Sequence, residues 1–104
     1  MEPVRPILVS GLEVRVIHKF ALPITDEVAI MMPESAKILH VADQRGRLCL
    51  WAIVDPERPK VRRRFAIIGT GYPFPPELVG IYIETAMMAA SGLVWHVFDR
   101  GESR

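Results

Sequence analysis

Apolar and polar positions alternate along most of the chain, and a period of two predicts strands. In Glu13 to Phe20 (EVRVIHKF), Val14, Val16, His18 and Phe20 share one face, and Glu13, Arg15, Ile17 and Lys19 share the other. Leu22-Pro23 ends this strand. Glu27 to Met32, opened by Thr25-Asp26 and stopped by Pro33, fits a strand or one helical turn, and the strand fits better. Lys37 to Asp43 (KILHVAD) alternates again. Arg47 to Val54 (RLCLWAIV) is apolar on both faces, as expected of a central strand covered on both sides. Asp43-Gln44-Arg45-Gly46 joins these two as a turn with a glycine available for positive φ, so the pair reads as a hairpin. Val61 to Ile68 starts polar and ends apolar. Ile81 to Met88 and Leu93 to Asp99 flank Ala89-Ala90-Ser91-Gly92 and read as a second hairpin. The competitor there is a short helix over 77–90, favoured by Ala86, Met87, Met88, Ala89 and Ala90. Ile81, Tyr82, Ile83 and Thr85 oppose it.

Between the strands, Asp55-Pro56-Glu57-Arg58-Pro59 reads as a loop, because prolines cannot donate to a ladder. Gly69 to Pro76 is too rich in glycine and proline to be regular. Six or seven short strands at this spacing predict a mostly β fold, a small antiparallel sandwich or barrel. At 104 residues the chain is a single domain, with 1–11 and 100–104 expected to be flexible. Thirteen basic residues against twelve acidic ones give a net charge of +1, which excludes a strongly basic nucleic-acid coat. The single cysteine, Cys49, excludes an internal disulfide and a cysteine-based zinc site. The first residues lack the apolar stretch and small-residue cleavage site of a secretory signal. No uncharged stretch, that around Thr85 to Val97 included, approaches the roughly 20 residues a spanning helix needs. The expectation is a cytoplasmic protein with no membrane partner.

The order of local patterns is distinctive: KFALPITDEV, MPESAKILHV, LCLWAIVDP, FAIIGTGYPFP and YIETAMMAASGLVWHVFD. From Lys19 to Asp99 it resembles a family of small proteins, about a hundred residues long, encoded by tailed phages and prophages and carried as a domain of unknown function. MPESAKIL (Met32 to Leu39), LWAIVDP (Leu50 to Pro56), GTGYPFP (Gly69 to Pro75) and LVWHVF (Leu93 to Phe98) carry the likeness best. The resemblance brings no agreed enzymatic activity and no catalytic residues to carry over. It implies a phage provenance, hence a host-cell cytoplasm, and a role in binding a host component. Arg62-Arg63-Arg64 is denser in charge than that pattern.

Candidate chemistry is sparse. His18, His40 and His96 each fall in a predicted strand, but no H-x-H or H-E-x-x-H spacing joins them, so no metal is expected. Gly69-Thr70-Gly71 follows a strand, and such a turn can aim backbone N–H groups at an anion. Tyr72-Pro73 follows instead of a helix, so the dinucleotide fingerprint is absent. Tyr72 and Phe74 are stacking partners for a flat ring. Arginine forks suit phosphate, and on a strand Arg62 and Arg64 point one way while Arg63 points the other. The alternative for this run is a solvated strand edge kept from pairing with another chain. Ser10, Ser35, Ser91, Thr70, Thr85 and Cys49 sit in no recognisable nucleophile elbow. No cofactor is expected.

Strands that are apolar on both faces raise the matter of what covers them, and a symmetric homo-oligomer is one answer. The functional expectation is therefore non-enzymatic. It is a homo-oligomeric sponge that sequesters an anionic, nucleotide-like small molecule to counter host immune signalling, using Arg62, Arg63, Arg64, Gly69, Thr70, Gly71, Tyr72 and Phe74. A protein–protein adaptor or inhibitor of a host protein is the alternative. A small phosphate-ester hydrolase is the third.

Overall fold

The structure is a computed structural model that describes residues 14–78 and 80–103. Its seven strands are β1 (Val16–Ala21), β2 (Glu27–Pro33), β3 (Lys37–Gln44), β4 (Arg47–Val54), β5 (Lys60–Gly69), β6 (Ile81–Met87) and β7 (Val94–Ser103). They form two antiparallel sheets, ordered β1-β4-β3 and β2-β5-β7-β6. The arrangement is sandwich-like and not a closed barrel. No helix occurs among the described residues: within the 77–90 segment, Ile81–Met87 form the strand β6, and 89–91 turn back toward β7. Both expected hairpins are present, β3–β4 and β6–β7.

Alternation decides the core. Leu48, Leu50, Ala52 and Val54 of β4 meet Phe65 and Ile67 of β5, Val97 of β7, and Met32 and Val41 in one buried cluster. Even-numbered residues of β5 therefore face away from it. There, Ala66 and Ile68 form a second, smaller cluster with Leu78, and Phe98 packs against them. The loop after β5 thus folds back over the outer face of the four-stranded sheet.

β3 and β6, edges of different sheets, lie side by side. Each carries a bulge, between Ile38 and His40 and between Tyr82 and Glu84, which interrupts the flat edge a foreign strand would need. Beyond the bulges His40 Nδ1 lies 2.8 Å from a Glu84 carboxylate oxygen, and Asp43 Oδ2 accepts the Ala89 N–H at 2.9 Å. At the turn of the first hairpin both Arg45 and Gly46 have positive φ, the primed geometry that matches strand twist. The sequence offers only the glycine for this.

A third bulge shapes β7. Arg64 pairs with Gly101 and Phe65 with Asp99, so Arg100 is the extra residue, and Gly101 takes a φ of 87°. Strand β7 continues to Ser103, whereas the sequence reading ends the strand at Asp99 and expects a frayed 100–104. Pairing with Arg62, Arg63 and Arg64 explains the extension. Residues 1–11, the other segment expected to be flexible, lie outside the described residues.

Candidate functional site

The β5 register sorts the predicted site residues into three places. Arg63 shares the inner face with Phe65 and Ile67. Its Nε and Nη2 donate to Asp99 at 2.9 and 2.6 Å, and its Nη1 donates to the Ala36 carbonyl at 2.8 Å. The bulge makes this possible, because residues three apart on a regular strand face opposite sides. With Arg100 looped out, Asp99 and Glu102 share a face and flank Arg63. Glu102 Oε2 also accepts the Ser35 N–H at 2.6 Å, and Asp99 Oδ1 accepts the Gly101 N–H at 2.9 Å. Burial pushes the Asp99 carboxyl up, but the hydrogen bonds from Arg63 and Gly101 outweigh it and hold the carboxyl below its usual range. The Asp99 hydrogen bond, against burial, raises the Arg63 guanidinium above its ordinary value. Arg63 is thus a clasp joining β5, β7 and the β2–β3 turn. It floors a cavity of about 540 Å³ bordered by Ser35, Ile81 and Arg100.

Arg62 and Arg64 occupy the outer face with Lys60, and all three are exposed. Arg64 donates one N–H to the Arg100 carbonyl at 3.0 Å, and Arg100 itself pairs with Glu27. One step further along that face stands an aromatic cluster. Phe98 takes Phe74 edge-on at 5.1 Å and Tyr82 at 5.7 Å between ring centroids. Tyr82 is 55% exposed and Phe74 48%, so two ring faces remain open to solvent.

Beyond the rings lies a polar relay. Tyr82 OH is 2.7 Å from Thr85 Oγ1, which is 2.9 Å from His96 Nδ1; His96 Nε2 is 2.8 Å from Thr70 Oγ1. Thr85 sits opposite His96 in the ladder, and the turn after β5 supplies Thr70. A hydroxyl, an imidazole and a third partner in line have the outline of an activated nucleophile. Here the third partner is a neutral hydroxyl, which cannot stabilise an imidazolium as a carboxylate does. The nearest carboxylate on β6, Glu84, is turned to His40 instead. The relay fixes the turn on the sheet and has no strong base.

The remaining predicted residues part company. Gly69 and Tyr72 belong to the opposite end of β5, about 20 Å from Arg63 at strand rise. There they meet Trp95, and a Cβ on Gly69 would lie 2.7 Å from Tyr72 Cδ2 and 2.9 Å from Trp95 Cζ3. Gly71 occupies the exposed turn with φ 88°. The outer face thus carries Arg62, Arg64 and Phe74, with Thr70 at its far end on His96, while Arg63 faces inward and Gly69 and Tyr72 lie against Trp95.

Among the described residues no three His, Cys, Asp or Glu side chains gather as for a metal ion. His18 lies beside Phe20 on β1, His40 on Glu84 and His96 between two threonines. No helix of the described residues is long and apolar enough to cross a membrane.

One family model covers residues 13–104, nearly the whole chain. The chain belongs to DUF7352, a domain of unknown function. No curated protein and no solved structure matches it. The DUF7352 match spans every strand, so both the Arg63 clasp and the outer-face cluster belong to the family's domain. The residues missed in the sequence are Tyr82 and Phe98 on that face and Asp99 in the clasp, while His96 and Thr85 were weighed for a metal and a nucleophile and not for this relay. Their common signal was parity: Phe98 and His96 share a face, and Asp99 takes the other.

Proposed function

We propose that this DUF7352 protein is a non-enzymatic binding module that holds an anionic, ring-bearing small molecule on the outer face of its four-stranded sheet. One observation carries the reading: the strand register sets exposed Arg64 and Arg62 on the same face as the Phe98–Phe74–Tyr82 cluster, one and two side-chain rows away. Arginine forks take the phosphate, and the open faces of Tyr82 and Phe74 take the ring. The charge is presented by Lys60, Arg62 and Arg64, and the inward Arg63 is neutralised by Asp99. An open face gives limited enclosure, so a second copy of the chain laid across it completes the site, which makes the working unit a homo-oligomer. A phage provenance gives this holding a purpose, the sequestration of a host signalling nucleotide.

Calorimetric titration with linear and cyclic nucleotides tests the reading. Saturable heat with unchanged ligand recovered afterwards supports it, and absence of heat with any of them, from folded protein, overturns it. A second reading, an adaptor for a host protein, is favoured by the gap where β3 and β6 part beside Ile81, which is 78% exposed and paired on one side only. A stoichiometric protein captured from host lysate, lost on Ile81→Lys, supports that one.

A further inference from the structure

The cations of β5 stand in a line. Lys60, Arg62 and Arg64 are exposed on one face of the strand, in step with Pro33, Met31 and Ala29 of β2. Phe98 sits opposite Ala66, so the three cations follow it at about 7, 13 and 20 Å along the strand, Arg64 first. The Lys60 and Arg62 side chains make no hydrogen bond or ion pair among the described residues. Arg64 donates only to a carbonyl. The one carboxylate among the strand residues of this face, Glu27, is matched by Arg100. Three cations thus stand without a counter-charge in a chain whose net charge is only +1. A near-neutral chain has no basic coat, but the register gathers its surplus charge into a row.

A mononucleotide stacked on Tyr82 and Phe74 brings its phosphate to Arg64 and leaves the two further rows unused. A single strand carries one phosphate per nucleotide at a comparable interval, beside bases free to stack. We propose that the ligand of this face is a short single-stranded oligonucleotide, with an end base on Tyr82 and Phe74 and successive phosphates on Arg64, Arg62 and Lys60. The inference rests on the outer-face reading and names its ligand. Beside the row, Met31 is 53% exposed and gives a second base an apolar surface, and space is open over Gly101. A duplex fits poorly, because its paired bases cannot reach the rings.

The test is calorimetric titration with adenosine 5′-monophosphate and 5′-phosphorylated oligoadenylates of two to six residues. Ribose and deoxyribose series run side by side decide between RNA and DNA. Affinity should rise with each nucleotide up to the third and then level off. For the trimer, the slope of log affinity on log salt should be about −2, and Lys60→Ala should bring it to about −1.4. Lys60→Ala should weaken the trimer more than the monophosphate. Tyr82→Ala should weaken the trimer about tenfold, and the trimer annealed into a longer duplex should bind less well than it does free. A monophosphate that binds as tightly as the longer oligomers overturns this inference and leaves the outer-face reading standing. Absence of binding at every length overturns both. Lys60 and Tyr82 are exposed, so both variants are expected to fold, and circular-dichroism spectra check them.

Discussion

Arg63 and Asp99 grip each other through two parallel hydrogen bonds of 2.9 and 2.6 Å, although the ladder sets neither opposite the other. Their side chains are 12% and 17% exposed, so the pair is largely removed from water. Replacing Asp99 leaves the Arg63 guanidinium, largely out of water, with the Ala36 carbonyl and a more distant Glu102 in place of its bidentate partner. Asp99→Asn should therefore cost about 2–3 kcal/mol of stability, read as a fall in urea midpoint at constant slope.

The same pair sets an acid limit. Asp99 is held below the usual carboxylate range, so it takes up a proton more readily unfolded than folded. Its stabilisation is complete at neutral pH and is lost as pH falls through the lowered folded value. Arg63, raised, stays charged throughout. Urea midpoints measured from pH 7 to pH 2 should fall at the acid end in the parent chain, and the fall should be shallower in Asp99→Asn.

Gly101 makes the geometry available by taking a φ of 87° next to the looped-out Arg100. Nothing lies within 4 Å of a Cβ placed there, so the cost of a side chain is conformational rather than steric. Gly101→Ala should destabilise by about 1 kcal/mol or somewhat more. Thermal unfolding measures it, and Gly101→Asn, which tolerates this region better, should lose less.

The relay on the outer face makes a smaller contribution. Thr85→Val keeps the shape and removes both the Tyr82 and the His96 contacts, at about 1 kcal/mol. Hydrogen exchange of the Thr70 amide, which donates to the Val94 carbonyl, should quicken as the turn loosens.

Much of the fold is legible in the sequence because its signals are local. Alternation with a turn between places both hairpins, and β-branched residues at 81–85 outweigh the helix formers after them. Parity alone separates Arg63 from Arg62 and Arg64. The bulge at Arg100 was hidden because Asp99-Arg100-Gly101 near the end of the sequence resembles a frayed tail, although a glycine within a strand is also the mark of a bulge. The split between Tyr72 and Phe74 was hidden for a non-local reason. Two residues apart in a loop, they are drawn to different aromatic partners, Trp95 and Phe98, whose positions follow from sheet order.

Charge reversal on the outer face tests the central claim most directly. Arg62→Glu/Arg64→Glu changes two exposed side chains and should alter stability by no more than about 0.5 kcal/mol. Titrated with the nucleotide that the parent chain binds best, at low and high salt, the parent should weaken as salt rises and the variant should not bind at all. Undiminished, salt-insensitive binding by the double variant would contradict the account.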